Sequence, residues 1–384
     1  MMLMRRIKVG IAGAGFIAPF HIEALSRLGN IEVVAVCDPI KKIVQNVCLK
    51  YGIGKMFDDY DKMLKDEEIE VVHVCTPNYL HYEMVKKAME YSKHVICEKP
   101  LAMSSVEAKD LVNMAKSKGV VNAVSYNMRY YPMVQHAKAM IEDGEVGDIY
   151  LIHGTYLQDW LFFDTDYNWR VEAAQGGESR VIADTGTHWL DMVQYVSGRK
   201  IRRVIADLTT FIPVRKKPLE GEALTFAVKR EVKKYEEVKV DTEDHGTVLL
   251  RFDGNAKGVF VGSQVCAGRK NFIAFEINGS KQSLYWCGEE PNKLWEGRRD
   301  RENGVALKDF NVLKPKIAVY AMAPGGLGEG YLDTFKNLFR NVYRTIAKEE
   351  HNNDFPTFVD GYEEIILVEA ILRSFKEQKW IDVK

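Results

Sequence analysis

No stretch of this 384-residue chain approaches the roughly 18–20 consecutive apolar residues that a bilayer-spanning helix requires. Nor is there an excess of charge: 53 Lys and Arg stand against 54 Asp and Glu, for a formal net charge of -1. That balance argues against a nucleic-acid binder, which needs a basic surplus on at least one domain. The six cysteines (37, 48, 75, 97, 266, 287) form no CxxC pair and have no histidine at zinc-finger spacing. They are expected as small buried apolar residues in a reducing compartment, which favours the cytoplasm. Arg5-Arg6 mimics a twin-arginine export signal, but Lys8 interrupts the apolar run and a glycine motif opens at Gly13. The pair is therefore read as solvated residues ahead of the first strand. There is no internal repeat and no low-complexity segment. Apolar residues are 46% of the chain, which suits a soluble protein of two domains.

The first 125 residues alternate short apolar runs with helical patterns. Runs at 7–11, 33–37, 71–75, 95–97 and 120–125 are rich in β-branched residues, with amphipathic stretches between them. This alternation predicts right-handed crossovers and a doubly wound parallel sheet with helices on both faces, over residues 1–128. From 129 to 384 the texture changes. After a helix at 133–143, alternating runs at 149–156, 204–211, 247–252, 258–264 and 272–279 are separated by Gly and Asn turns. They predict an α/β domain with a large, mainly antiparallel open sheet, closed by an amphipathic helix at 360–376. The Lys- and Glu-rich segment 213–244 has few apolar anchors and is expected as a mobile, solvated surface excursion.

Gly13-Ala14-Gly15-Phe16-Ile17-Ala18 fits G-x-G-x-x-G/A between a strand and a helix. Gly13 permits the tight turn, Gly15 lets a pyrophosphate approach, and Ala18 keeps the helix near the sheet, whose first N–H groups attract the anion. Asp38 ends the second strand, where a carboxylate accepts ribose hydroxyls and repels a 2′-phosphate. NAD is thus expected, although Lys41 and Lys42 leave room for NADP. Two more strand ends point to the same crevice: Thr76-Pro77-Asn78, with His81 opening the next helix, and Glu98-Lys99-Pro100. An ammonium such as Lys99 at the cleft edge could hold a substrate oxygen; the alternative is an ordinary Lys–Glu pair.

In the second domain, Asp184 and His188 are four residues apart and share a helix face. Asp184 suits an N-cap, and His188 a general base with a neutral operating pKa. The alternative is a capping Asp and a core histidine. Asp191 would complete a metal face, but no second histidine or matching carboxylates accompany it, and no metal is expected.

Together with Glu98-Lys99-Pro100, Asn127-Met128-Arg129-Tyr130, Trp169-Arg170 and Asp184-x-Gly186-x-His188-x-x-Asp191, the dinucleotide motif resembles the Gfo/Idh/MocA family over nearly the whole chain. This is the group of glucose–fructose oxidoreductase and inositol dehydrogenases. The resemblance implies a Rossmann domain, a second domain whose open sheet commonly forms an oligomer interface, and NAD(P)-dependent oxidation of a sugar or cyclitol hydroxyl. It implies Lys99, Asp184 and His188 as the catalytic group. Thr76, Asn78, Glu98 and Asn127 would line the nicotinamide half, and Trp169 and Arg170 would close over cofactor and substrate. Tyr130, Tyr156, Trp160 and Trp169 could stack on sugar faces, with Asp159 and Arg129 bonding hydroxyls. Two departures stand out: Gly176-Gly177-Glu178-Ser179-Arg180-Val181-Ile182 ahead of Asp184, where many members carry more glycine and a Leu, and Leu327 in Gly325-Gly326-Leu327-Gly328-Glu329-Gly330 where close relatives are expected to carry His. A homo-oligomer, dimer or tetramer, is expected. The alternatives are an NAD-using glycosidase working by oxidation and elimination, and a non-catalytic dinucleotide sensor.

Overall fold

Apolar runs too short for helices but rich in Val and Ile become strands buried on both faces, and this shapes the N-terminal part of the chain. A computed structural model describes residues 6–219, 234–349 and 354–384. Arg5 of the arginine pair and residues 220–233 of the charged segment lie outside the described residues. The chain forms two units: residues 1–127 with 331–365, and residues 128–330 with 366–384.

The first unit runs β1 (Ile7–Ala12), α1 (Ala18–Ser26), β2 (Ile31–Cys37), α2 (Lys41–Tyr51), β3 (Lys55–Phe57), α3 (Tyr60–Leu64), β4 (Val71–Val74), α4 (His81–Glu90), β5 (His94–Cys97), α5 (Ser105–Lys118) and β6 (Asn122–Val124). Its six strands are all parallel in the order β3-β2-β1-β4-β5-β6. This is the doubly wound dinucleotide-binding order, in which ligands bind beyond the carboxyl ends of the strands where the order reverses, between β1 and β4.

The second unit begins with α6 (Pro132–Glu142), β7 (Ile149–Leu157), α7 (Ala173–Gly176) and α8 (Thr187–Ser197). Strands β8 (Ile201–Thr209), β9 (Val214–Pro218), β10 (Tyr235–Lys239), β11 (His245–Phe252), β12 (Lys257–Ser263), β13 (Phe272–Gly279), β14 (Ser283–Cys287), β15 (Lys293–Gly297) and β16 (Gly304–Leu307) follow. The chain continues through α9 (Tyr331–Ile346) and α10 (Phe358–Glu377) to β17 (Ile381–Asp382). The large sheet has nine strands in the order β16-β15-β14-β13-β7-β12-β11-β8-β17, antiparallel throughout except for the β7–β12 pair. One face is covered by α8, whose Trp189 Nε1 donates to the Ala274 carbonyl across 2.8 Å. Gly154 makes this possible, since a Cβ there would lie 2.1 Å from that same oxygen. The other face presents Leu151, Leu249, Val305 and Leu307 to solvent.

Two expectations need correction. The segment 129–384 is not one domain, because Tyr331–Ile365 belongs to the first unit, where Phe358 and Ile365 enter the same core as Val74, Val95 and Leu111. And the described ends of segment 213–244 are anchored rather than solvated. β9 and β10 pair as an antiparallel ribbon, and Arg215 is fully buried, its guanidinium donating to the carbonyls of Leu161, Phe163 and Asp166 at 2.8–2.9 Å. Burial pulls its pKa down to about 10.

Candidate active site

The turn after β1 is built as the motif requires. Gly13 has φ +88°, and a Cβ on it would meet the carbonyl of Cys75 at 2.8 Å, so only glycine fits. Nothing lies within 4 Å of the position a Cβ on Gly15 would take, which leaves open space above the turn. α1 then starts from Ile17 without a side-chain cap. Phe16 is half exposed and packs on Phe20, with ring centroids 5.2 Å apart. Asp38 braces the turn: Oδ2 accepts from Ala14 N at 3.0 Å and Oδ1 from Ile40 N at 2.9 Å. The open cradle at Gly15, the uncapped helix and the carboxylate at the end of β2 fit a dinucleotide.

At the end of β4, the Thr76 hydroxyl is buried without a hydrogen-bond partner, and Pro77 leads into a short 3-10 turn, Asn78–Leu80. His81, expected as a cofactor contact, has both ring nitrogens bonded to protein. Its ring is buried between two carbonyls, Nδ1 2.6 Å from Pro100 O and Nε2 2.9 Å from Thr76 O, so it ties the two loops together. Burial holds its pKa low against the upward pull of those carbonyls. Lys99 follows β5 and is partly exposed; its backbone N–H donates to Oε2 of Glu98 at 3.3 Å. The Lys99–Pro100 peptide is cis. Asn127 is buried, and its amide donates to Thr334 Oγ1 at 2.7 Å, committing that group to α9.

In the second unit, Asp184 is not an N-cap. It lies inside a π-turn, Ile182–Gly186, and α8 begins only at Thr187, with His188 buried in its first turn. Single π-turns insert a residue and re-aim side chains, and they recur at functional positions. Asp184 is held from two sides: Gln264 Nε2 donates to Oδ2 at 3.0 Å, and Arg170 Nε stands 3.5 Å from Oδ1. Arg170 in turn stacks on Trp169, 4.4 Å from the ring centroid, and bonds Asn168 Oδ1. The Tyr156 ring lies 6.3 Å from the His188 ring.

Polar groups of three residues read as substrate contacts are bonded within the protein. Arg129 is buried in a two-pronged pair with Asp191, Nε to Oδ2 at 2.7 Å and Nη2 to Oδ1. Oδ2 of Asp159 accepts from Gly268 N at 2.9 Å and Lys270 Nζ at 2.7 Å. The Tyr156 hydroxyl donates to Asn271 Oδ1 at 2.6 Å, which leaves the stacking expected of its ring untouched. The Leu327 loop is braced from within by buried Lys308, which donates to the carbonyls of Ala323 and Leu327 at 2.8 Å and pairs with Glu329 at 3.2 Å.

Sequence reasoning missed Gln264 and Glu243. Gln264 is a fully buried polar residue at the end of an apolar strand run, which is itself a signal. Glu243 lies in the charged segment read as solvated, yet its Oε1 accepts from Ser179 Oγ at 2.6 Å and from the N–H groups of Arg180 and Ile182 at 3.0 Å. It thereby caps the helical turn that carries Asp184. Burial pushes its carboxyl above the usual range. Arg180 pairs with Asp244 at 3.6 Å, both fully buried.

A parallel dinucleotide-binding sheet joined to a second unit that presents an Asp and a His from one helical segment defines a nicotinamide-dependent oxidoreductase. The comparisons agree. Residues 7–126 match the oxidoreductase family with an NAD-binding Rossmann fold, and residues 134–285 match the GFO/IDH/MocA C-terminal domain. Levoglucosan dehydrogenase of Pseudarthrobacter phenanthrenivorans is 31% identical over 402 aligned positions, covering 99% of both chains. Glucose-6-phosphate 3-dehydrogenase of Bacillus subtilis is 33% identical over 97% of this chain and 96% of its own. A solved levoglucosan dehydrogenase in complex with NADH and L-sorbose superposes with a TM-score of 0.89 at 29% identity, over 99% of this chain and 100% of that one. The chain belongs to the Gfo/Idh/MocA oxidoreductase family.

Proposed function

We propose that this protein oxidises a secondary ring hydroxyl of a sugar or cyclitol, with Lys99, Asp184 and His188 as the catalytic group. The observation that carries the assignment is the braced π-turn: Gln264 and Arg170 fix Asp184 four residues ahead of buried His188. Relatives that align along nearly the whole chain are named for levoglucosan and glucose 6-phosphate oxidation. NAD, when bound, supplies the hydride acceptor. His188 takes the hydroxyl proton, Asp184 orients the ring and balances its charge, and the Lys99 ammonium holds the oxygen as the carbonyl develops. Trp169 and Arg170 shield the reacting end from water. NAD is preferred over NADP because Asp38 ends β2 with a carboxylate, which repels a 2′-phosphate.

The apolar side chains on the open face of the nine-stranded sheet support a homo-oligomer, which light scattering would report. The six cysteines are all free and five are buried, which suits the cytoplasm. Among the described residues no helix is long and apolar enough to cross a membrane.

The test is a panel of pyranoses, anhydrosugars and cyclitols assayed with NAD and NADP separately. One NADH per sugar oxidised is expected, whereas release of an aglycone from an added glycoside without net NADH would indicate oxidation and elimination instead. His188→Ala and Lys99→Ala should each lose about 10²–10⁴ in kcat while still binding NAD. Near-normal turnover in both would remove the role assignment.

A further inference from the structure

Four polar side chains form an unbroken line through the interior of the first unit, and the reaction above uses none of them directly. Glu98 Oε1 is 3.0 Å from His21 Nε2, His21 Nδ1 is 2.8 Å from His73 Nδ1, and His73 Nε2 is 2.9 Å from the Tyr343 hydroxyl. Both imidazoles are fully buried and Tyr343 is 1% exposed. Phe335 and Phe339 wall the line, their rings 5.2 and 4.9 Å from His21.

The chemistry of the groups sets the direction of every proton. An ionised carboxylate only accepts, so His21 donates from Nε2. With His21 accepting at Nδ1, His73 donates from its own Nδ1. That leaves His73 Nε2 as the acceptor for the Tyr343 O–H. Burial, with His21 beside it, holds His73 well below the ordinary histidine value and therefore neutral. Burial likewise pushes the Tyr343 phenol well above its ordinary value, so it keeps its proton. Every donor points toward Glu98. The far end of the line is the buried Tyr343 phenol, on which the Glu70 carboxylate acts through its charge. The line acts as a brace. Glu98 passes the constraint on, because its other oxygen accepts the backbone N–H of Lys99.

We propose that Tyr343, His73 and His21 are positioning residues that act through Glu98 to hold the Glu98–Lys99–Pro100 turn and aim Lys99. This rests on the reading of Lys99 as a catalytic residue.

The arrangement is tested on the full-length protein labelled with ¹⁵N-histidine, using two-bond proton–nitrogen correlation spectra at neutral pH. His21 is expected as the neutral Nε2–H tautomer and His73 as the neutral Nδ1–H tautomer. The opposite tautomer in either ring, or an imidazolium, overturns the proposal. In kinetics, Tyr343→Phe should lower kcat about tenfold, the scale of one lost buried hydrogen bond, with NAD affinity unchanged. His73→Asn, whose amide N–H replaces the Nδ1 donor, should retain several-fold more kcat than His73→Leu. Equal loss in both, or lowered melting temperatures with unchanged kcat, would reduce the line to a structural role and overturn the proposal. Lys99→Met separates the two readings. Full turnover in that variant sinks the catalytic assignment of Lys99, whereas wrong tautomers sink the brace and leave that assignment standing.

Discussion

Asp184 owes its direction to neighbours distant in sequence, and Gln264 is the most exacting of them. Its side chain is fully buried and its amide donates to Oδ2 of Asp184 at 3.0 Å. A hydrogen bond to a charged group contributes about 1.5–3 kcal/mol. Gln264→Leu should therefore reduce kcat/KM by roughly 10–100-fold, mostly through kcat, with NAD binding intact. Steady-state kinetics with a turned-over sugar decide the matter; an unchanged kcat would mean that Arg170 alone suffices. Residue types at strand ends were readable from sequence: Gly13, Asp38, Thr76, Glu98 and Lys99 all fall where alternation placed them. What was not readable is which partner takes each polar group. His81, Arg129 and Asp159 have the chemistry for ligand contacts, yet backbone carbonyls, Asp191 and the 268–270 loop take them. Those partners come from remote parts of the chain, and no local pattern names them.

At the scale of elements, the π-turn and its cap act as one device. Glu243 receives three donors at the start of this turn although burial raises its carboxyl pKa. A neutral acceptor of the same shape should serve nearly as well. Glu243→Gln is expected to change unfolding free energy by no more than about 1 kcal/mol, and Glu243→Ala to cost about 2–4 kcal/mol by stranding several buried donors. Denaturant unfolding of both variants checks this; equal destabilisation would show that the charge itself is needed. Five strands of the parallel sheet were legible because each is a continuous apolar run, whereas β3 is only three residues long and leaves too little pattern. α9 is absent from the sequence reading although Phe335, Leu338, Phe339, Val342 and Tyr343 keep perfect helical spacing and are all buried. The preceding glycine-rich loop disguised its start. The π-turn was invisible for a different reason: an Asp and a His four apart fit an ordinary α-helix equally well.

For the whole molecule, four histidines with lowered pKa, three of them buried and His94 half-buried, contribute to the response to acid. Burial is the main cause holding His73, His81, His94 and His136 below their ordinary value of 6.5. Below about pH 6.5 the unfolded chain takes up protons at these sites that the folded chain does not. Their contribution to stability is thus complete above that pH and is lost as pH falls through 6.5 toward the lower folded values. Melting temperature should drop between pH 7 and pH 5, measured by calorimetry at constant ionic strength. A flat or rising curve over that interval would contradict the assignment of neutral buried rings.

The return of residues 331–365 to the first unit has a consequence for how the protein is made. Val124 N bonds Pro356 O, Asn122 accepts from Phe358 N, and the two histidines of the brace lie against Phe339 of α9. A nascent N-terminal half emerging from the ribosome carries the six-stranded sheet but lacks these covering side chains. Its interior stays open until residues 331–365 have been synthesised, so the part made first is completed only after residues 128–330 have followed it.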